Sequence, residues 1–219
     1  MTCERCDDTG WEPIVIADVR RVRRCACWHT AHPSTVANIP AYFAAVRLSS
    51  YQPRKGTEAA LAAAQRWQKG SHDLYLAGPV GSGKSRLACS LVNEATTTGA
   101  SAAFFDVSDL VTKARAFEFD EAPLDPLAQA KRVDILVLDD LGSVEKASDY
   151  TLRVLLGLYN DRLANRRRTL WTSNLTLDQL SVALQDDRLG SRIAGNAETV
   201  WVSATDFRVD GPRAWVVNA

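Results

Sequence analysis

Residues Gly78-Pro79-Val80-Gly81-Ser82-Gly83-Lys84-Ser85 follow the pattern G-x-x-x-x-G-K-S, and no other stretch limits the fold so tightly. Such a loop turns its backbone N–H groups toward phosphate oxygens, and glycines permit the tight curvature. The lysine carries a positive charge to the β- and γ-phosphates, and the serine hydroxyl can ligate Mg²⁺. The pattern has this meaning only between a buried strand and a helix N-terminus, which also favours an anion. Asp73–Ala77 supplies a short apolar run ahead of it. Arg86–Glu94 follows, with Leu87, Leu91 and Val92 apolar in a helix-compatible stretch. The order strand, loop, helix predicts a nucleotide site whose contacts run from Gly78 through Arg86.

A second apolar run, Val133-Asp-Ile-Leu-Val-Leu-Asp139-Asp140-Leu-Gly142, ends on two carboxylates. That is the pattern of a strand buried on both faces and ending at a metal site. Asp139 is expected to hold Mg²⁺, directly or through water, and Asp140 to polarise the attacking water as a general base. Thr169-Leu-Trp-Thr-Ser-Asn174 reads as another strand ending on a polar residue. Lying beside the first, it would bring Asn174 to the water or the γ-phosphate.

The chain has 219 residues, room for one α/β domain and a small appendage. Its 26 basic and 26 acidic residues balance, so any nucleic-acid contact must come from local patches. At 46% hydrophobic residues a sizeable core is within reach. No run of 18 apolar residues and no basic–apolar leader is visible, so a soluble, cytoplasmic protein without membrane contact is expected.

Four of the five cysteines fall in the first 27 residues, as Cys3-Glu-Arg-Cys6 and Cys25-Ala-Cys27. Two close pairs around a segment too short for its own core suit a structural Zn²⁺ site, whose four thiolates leave no position open for chemistry. Reduced or disulfide-bonded cysteines and an iron–sulfur cluster are the other readings, and His29 or His32 can replace a thiolate. Ile14–Ile16 and Val19–Val22 suit a small hairpin between the pairs. The expected organisation is a cysteine module over 1–32, a linker with one short helix over 33–56, and an ATPase domain over 57–219.

Other helices are expected over 58–68, capped by Thr57, over 109–116, capped by Ser108, over 148–165 and over 177–184. Arg188 and Arg192, four apart, share a helical face. A last strand is expected over 199–203, with a β-ribbon beyond it. Lys113, Arg115 and the Arg166–Arg168 run are candidate DNA contacts, and equally suit a solvated surface.

Taken together, the Gly78–Ser85 loop, Asp139-Asp140-Leu-Gly142, Thr172-Ser-Asn174 and Arg188-Leu-Gly-Ser-Arg192 resemble the AAA+ ATPases of the DnaC/DnaI/IstB group. The cysteine pattern is similar to the N-terminal module of helicase loaders in that group. The resemblance implies an α/β P-loop NTPase core with a five-stranded parallel sheet of order 5-1-4-3-2 and no full C-terminal lid. It implies Walker A at Gly78–Ser85, Walker B at Asp139 and Asp140, and sensor 1 at Asn174. It makes Arg192 an arginine finger for a neighbouring subunit's γ-phosphate, with Arg188 assisting, so that self-association through ATP-bridged interfaces completes the site. ATP or ADP, Mg²⁺ and Zn²⁺ are the implied cofactors. The leading functional expectation is an ATP-dependent loader that binds a replicative hexameric DNA helicase and delivers it to single-stranded DNA. The alternatives are an IstB-type transposition helper acting on duplex DNA, and a phosphotransferase that uses the same loop.

Overall fold

Strand pairing explains the apolar runs. In the computed structural model, which describes residues 4–5, 11–16, 19–24, 36–119, 125–142 and 148–207, six parallel strands form one sheet. They are β3 (Val36–Ala37), β4 (Asp73–Ala77), β5 (Ala102–Asp106), β6 (Ile135–Asp139), β7 (Arg168–Ser173) and β8 (Ala197–Trp201), in the order β3-β5-β6-β7-β4-β8. The five full strands, from β4 to β8, therefore lie in the expected order 5-1-4-3-2, read here from the β8 edge. A two-residue β3 is added beside β5. Ahead of the sheet, β1 (Trp11–Ile16) and β2 (Val19–Arg24) pair antiparallel as the expected hairpin.

Successive strand residues point to opposite faces, and here both faces are covered. Ile135 and Val137 of β6 pack with Leu74, Leu76, Leu87, Leu91 and Trp67 on one side. Leu136 and Leu138 pack with Tyr75, Phe105, Leu155, Tyr159 and Trp171 on the other. The first layer comes from α1 (Glu58–Lys69) and α2 (Lys84–Thr97). The second comes from α3 (Val107–Glu118), α4 (Pro126–Arg132), α5 (Asp149–Ala164), α6 (Leu177–Leu184) and α7 (Arg188–Asn196). None of the described helices is long and apolar enough to cross a membrane.

Several local expectations change for physical reasons. Helix α3 is capped by Asp106, whose carboxylate accepts the Asp109 N–H at 3.0 Å, and Ser108 lies inside the helix. The extended backbone at the end of β5 puts the cap there. Thr57 does not cap α1 with its side chain. Its hydroxyl instead closes the preceding turn, donating to Arg54 O and accepting from Arg54 N, each at 2.8 Å. The last strand begins at Ala197 and not Thr199, because it pairs along the whole of β4, from Asp73↔Ala197 to Ala77↔Trp201.

Residues 36–56 lie against α2. Asn93 Nδ2 donates to Phe43 O at 2.8 Å and to Val46 O at 2.9 Å, Glu94 accepts the Leu48 N–H at 3.1 Å, and Leu48 is buried.

The Arg166–Arg168 run is largely committed to the fold. Arg167 donates to Lys131 O at the end of α4, and Arg168 donates to Trp67 O at 3.0 Å and stacks on the Trp67 ring at 4.2 Å. Cations at helix C-termini satisfy orphan carbonyls. Arg162 is fully buried and donates to Ala130 O, Val133 O, Asp134 O, Arg168 O and Thr169 Oγ1. Cys3, Cys6, Cys25 and Cys27 lie outside the described residues, as does the ribbon expected beyond Asp210.

Candidate nucleotide site

The C-terminal ends of β4, β7 and β6 stand side by side, the position at which open parallel sheets present ligands. Each end supplies one part of the site. From β4 the chain enters the glycine loop, where Gly78, Gly81 and Gly83 take φ of 150°, 71° and 99°. Gly83 then stands at the N-cap of α2, so its first N–H groups open toward the loop. A Cβ on Gly81 would stand 1.7 Å from Asp206 Oδ1 and displace that side chain, and the φ of 71° favours glycine whatever the space. The segment that follows β8 is bound by backbone bonds to the end of β4, Val202 N–H to Ala77 O at 2.6 Å, and to the loop, Phe207 N–H to Gly81 O at 3.0 Å.

Lys84 is buried, and its ammonium donates to Gly78 O and Pro79 O at 2.8 Å each and to Asn174 Oδ1 at 3.1 Å. Asn174 Nδ2 faces Asp140 Oδ1 at 3.3 Å. Thus Lys84, Asn174 and Asp140, from three different strand ends, form one chain of contacts. Ser85 is a hydrogen-bond partner of the Asp139 carboxylate. Burial pushes the Asp139 carboxyl above its ordinary value. The Thr172 and Ser85 hydroxyls pull it back, while the charges of Asp140 and Asp106 add to the rise. Crowded acids at a strand end are the electrostatic complement of a divalent cation.

Beside the loop a cavity of about 550 Å³ is lined by Tyr42, Tyr51, Arg54, Lys84, Ser85 and Phe207, among others. Arg54 lies 4.6 Å over the Phe207 ring and donates to Ser82 O at 3.4 Å. Ser82 Oγ is buried without a partner. Aromatic walls next to a lysine, a serine hydroxyl and open N–H groups suit a base at one end and phosphates with a cation at the other. The donor set fits a nucleotide with Mg²⁺.

Arg188 and Arg192 line a different cavity, of about 800 Å³, with Arg153, Asn160, Gln185 and Asp186. Leu189 and Ile193 are buried in the core, which turns the arginines outward. The buried Gly190 lets α7 approach α6, since a Cβ there would lie 2.7 Å from Ser181 Oγ. Arg188 forms an ion pair with Asp186 at 2.7 Å and holds that carboxyl below its ordinary value. Arg192 donates to Arg188 O at 3.2 Å.

Sequence reasoning quoted Thr172 within its motif but gave no role to the hydroxyl, which lies between Asp139 and Asp140, and it passed over the cavity wall of Tyr51, Arg54 and Phe207. The available signals were the hydroxyl two residues before Asn174, and Tyr51 and Arg54 on either side of Gln52-Pro53.

Residues 44–210 match the family model described as IstB-like ATP binding protein. A Pseudomonas fluorescens protein assigned as the ATP-binding protein of insertion sequence IS1162 is 35% identical over 109 residues, covering 50% of this chain and 46% of its own length. An IS21-like assigned ATP-binding protein of Bacteroides fragilis is 25% identical over 159 residues, covering 69% and 59%. The chain thus spans about half the length of the curated relatives it matches. The crystal structure of the DnaC helicase loader superposes with a TM-score of 0.67 at 23% identity, covering 75% of this chain and 100% of that one, a likeness of fold.

Proposed function

This chain belongs to the IstB-like ATP-binding protein family, and from that premise we propose that it is an Mg²⁺-dependent ATPase that assists the transposition of an insertion sequence, assembling on duplex DNA and engaging a transposase. The observation that carries the reading is the junction of Lys84, Asn174 and Asp140 at adjoining strand ends, within a chain whose curated relatives are insertion-sequence proteins. In this reading Gly78 to Arg86 hold the phosphates, and Ser85 and Asp139 hold Mg²⁺, which would draw charge from the phosphate oxygens when bound. Asp140 orients the attacking water, and Asn174 fixes that water or the γ-phosphate. Arg192, assisted by Arg188, serves a neighbouring copy. Support for action in trans is that both arginines line a cavity sharing no lining residue with the one beside Lys84. An arginine supplied across an interface makes hydrolysis depend on assembly.

The helicase-loader reading stands second. It draws on the fold likeness to DnaC and on the cysteine pattern, with the four cysteines holding Zn²⁺ in an arm over residues 1–32. DNA competition separates the two. The chain is incubated with MgATP and labelled duplex, then challenged with duplex or single strands at several salt concentrations. Better competition by duplex, with DNA-stimulated hydrolysis, is expected. Preference for single strands together with capture of a replicative helicase would reverse the order.

A further inference from the structure

Within the site just described, one hydroxyl has no assigned role. Thr172, near the end of β7, is 1% exposed. Its Oγ1 donates to Asp139 Oδ1 at 2.5 Å and accepts the Asp140 N–H at 3.0 Å, while its carbonyl accepts the Leu141 N–H at 2.8 Å. Three consecutive residues of the 139–142 turn therefore bond to one residue of the neighbouring strand. Ser173 continues the clasp: its hydroxyl donates to Leu141 O and accepts the Leu175 N–H at 3.0 Å. Asn174 then reaches Asp140 Oδ1.

The clasp matters because Asp140 sits at φ 58°, left-handed backbone that residues other than glycine seldom adopt. Such a conformation persists where neighbours over-determine it. A hydroxyl has a single proton, so donation to Asp139 Oδ1 fixes that carboxylate's rotation. The lone pair on the same atom fixes the peptide that presents Asp140. Valine has threonine's shape and neither function. Serine has both functions and lacks only the methyl.

We propose that Thr172 is the positioning residue that couples Asp139 to Asp140, setting the angle between the cation-binding carboxylate and the water-orienting one; the inference rests on reading the site as an ATP-hydrolysing centre. Thr172 touches neither substrate nor cation and acts through the two acids.

The test compares the full chain with Thr172→Val and Thr172→Ser. Hydrolysis is measured against Mg²⁺ and against ATP, nucleotide binding is measured without Mg²⁺, and thermal melting is recorded for each protein. Outer-sphere partners of metal-site residues are typically worth about 10–100-fold. Thr172→Val is therefore expected to lower kcat and raise the half-saturating Mg²⁺ by factors in that range, with metal-free ATP affinity unchanged. Thr172→Ser is expected to recover most of kcat even if it melts earlier. A folded Thr172→Val with wild-type kcat and Mg²⁺ dependence overturns the proposal. So does a Thr172→Ser no better than Thr172→Val. If Thr172→Val does not fold, Thr172→Ala against Thr172→Ser gives the same comparison. A wild-type chain that neither binds nor hydrolyses ATP refutes the site reading itself, whereas an active wild type beside an unaffected Thr172→Val removes only the role of Thr172.

Discussion

Lys84 Nζ donates to Asn174 Oδ1 at 3.1 Å, although 90 positions separate the two residues in sequence. The contact joins the phosphate loop to the end of β7 and, through Asn174 Nδ2, to Asp140. The two residues should nevertheless fail differently. Lys84→Ala is predicted to weaken ATP binding at least about tenfold, equivalent to about 1.4 kcal/mol. Asn174→Ala is predicted to leave binding near wild type and to lower kcat on the order of 10²-fold, as loss of one oriented donor does. Calorimetric titration beside steady-state hydrolysis checks both. Equal losses of affinity would contradict the division of roles.

Arg192 should act across an interface. Arg192→Ala is predicted to bind ATP normally and to hydrolyse it roughly 10³-fold more slowly. Mixing it with Lys84→Ala should restore part of the activity, because some interfaces then unite an intact Lys84 with an intact Arg192. Mixtures as inactive as either parent would falsify the trans assignment.

Arg162 supports the fold. Burial draws its guanidinium down to about 10, with the Asp73 charge acting in the opposite sense. Arg162→Met leaves four carbonyls without that donor and removes a charge near the buried Asp73. A loss of about 3–5 kcal/mol is predicted, read by urea denaturation, since breaking one side of a buried polar network leaves its partners uncompensated.

Asp73 gives a pH signature. Burial raises its carboxyl above 3.8, against the opposing bonds from Thr169 N–H and Tyr159 Oη at 2.7 Å each and the charges of Arg162 and His72. The folded chain then holds the proton more tightly than the unfolded chain. This group's contribution is greatest below 3.8, falls as pH rises through the raised value, and is constant above it. Asp73→Asn should abolish that slope. Denaturation midpoints of both proteins across the acid range test it, and parallel curves would argue against a raised carboxyl.

The four cysteines before residue 28 admit a metal test. Purified protein spanning residues 1–219 is predicted to carry one Zn²⁺, lost when Cys3 and Cys6 are both replaced by serine. Elemental analysis decides, and iron in place of zinc would select the cluster reading.

What could be read from residues alone was whatever a short window encodes. The glycine loop announces itself because phosphate wrapping needs glycine at fixed offsets. The strand ending in Asp139 is visible because burial on both faces removes every polar residue between Asp134 and Asp139. Sheet order was expected only through the resemblance to AAA+ ATPases that those motifs carry. Features set by distant partners were hidden. Arg162 looks like any helix-surface arginine until five acceptors close around it. Arg167 and Arg168 read as a basic patch until α4 and α1 end beside them. The cap at Asp106 was misplaced by two residues because the end of β5, and not the preference of serine, determines where α3 starts. The bonds from Thr172 to Asp139 and Asp140 became legible only once two strands lay next to each other.

The residues after β8 fold back over the glycine loop, with Ser203 N–H bound to Gly56 O at 3.0 Å and Phe207 N–H to Gly81 O. A protein trimmed at Trp201 would keep every strand of its sheet and still lose the roof of its nucleotide cradle. Truncations and inserted sequences are therefore better kept clear of residues 202–207. A melting experiment on the trimmed chain should show a surviving fold that ATP no longer stabilises.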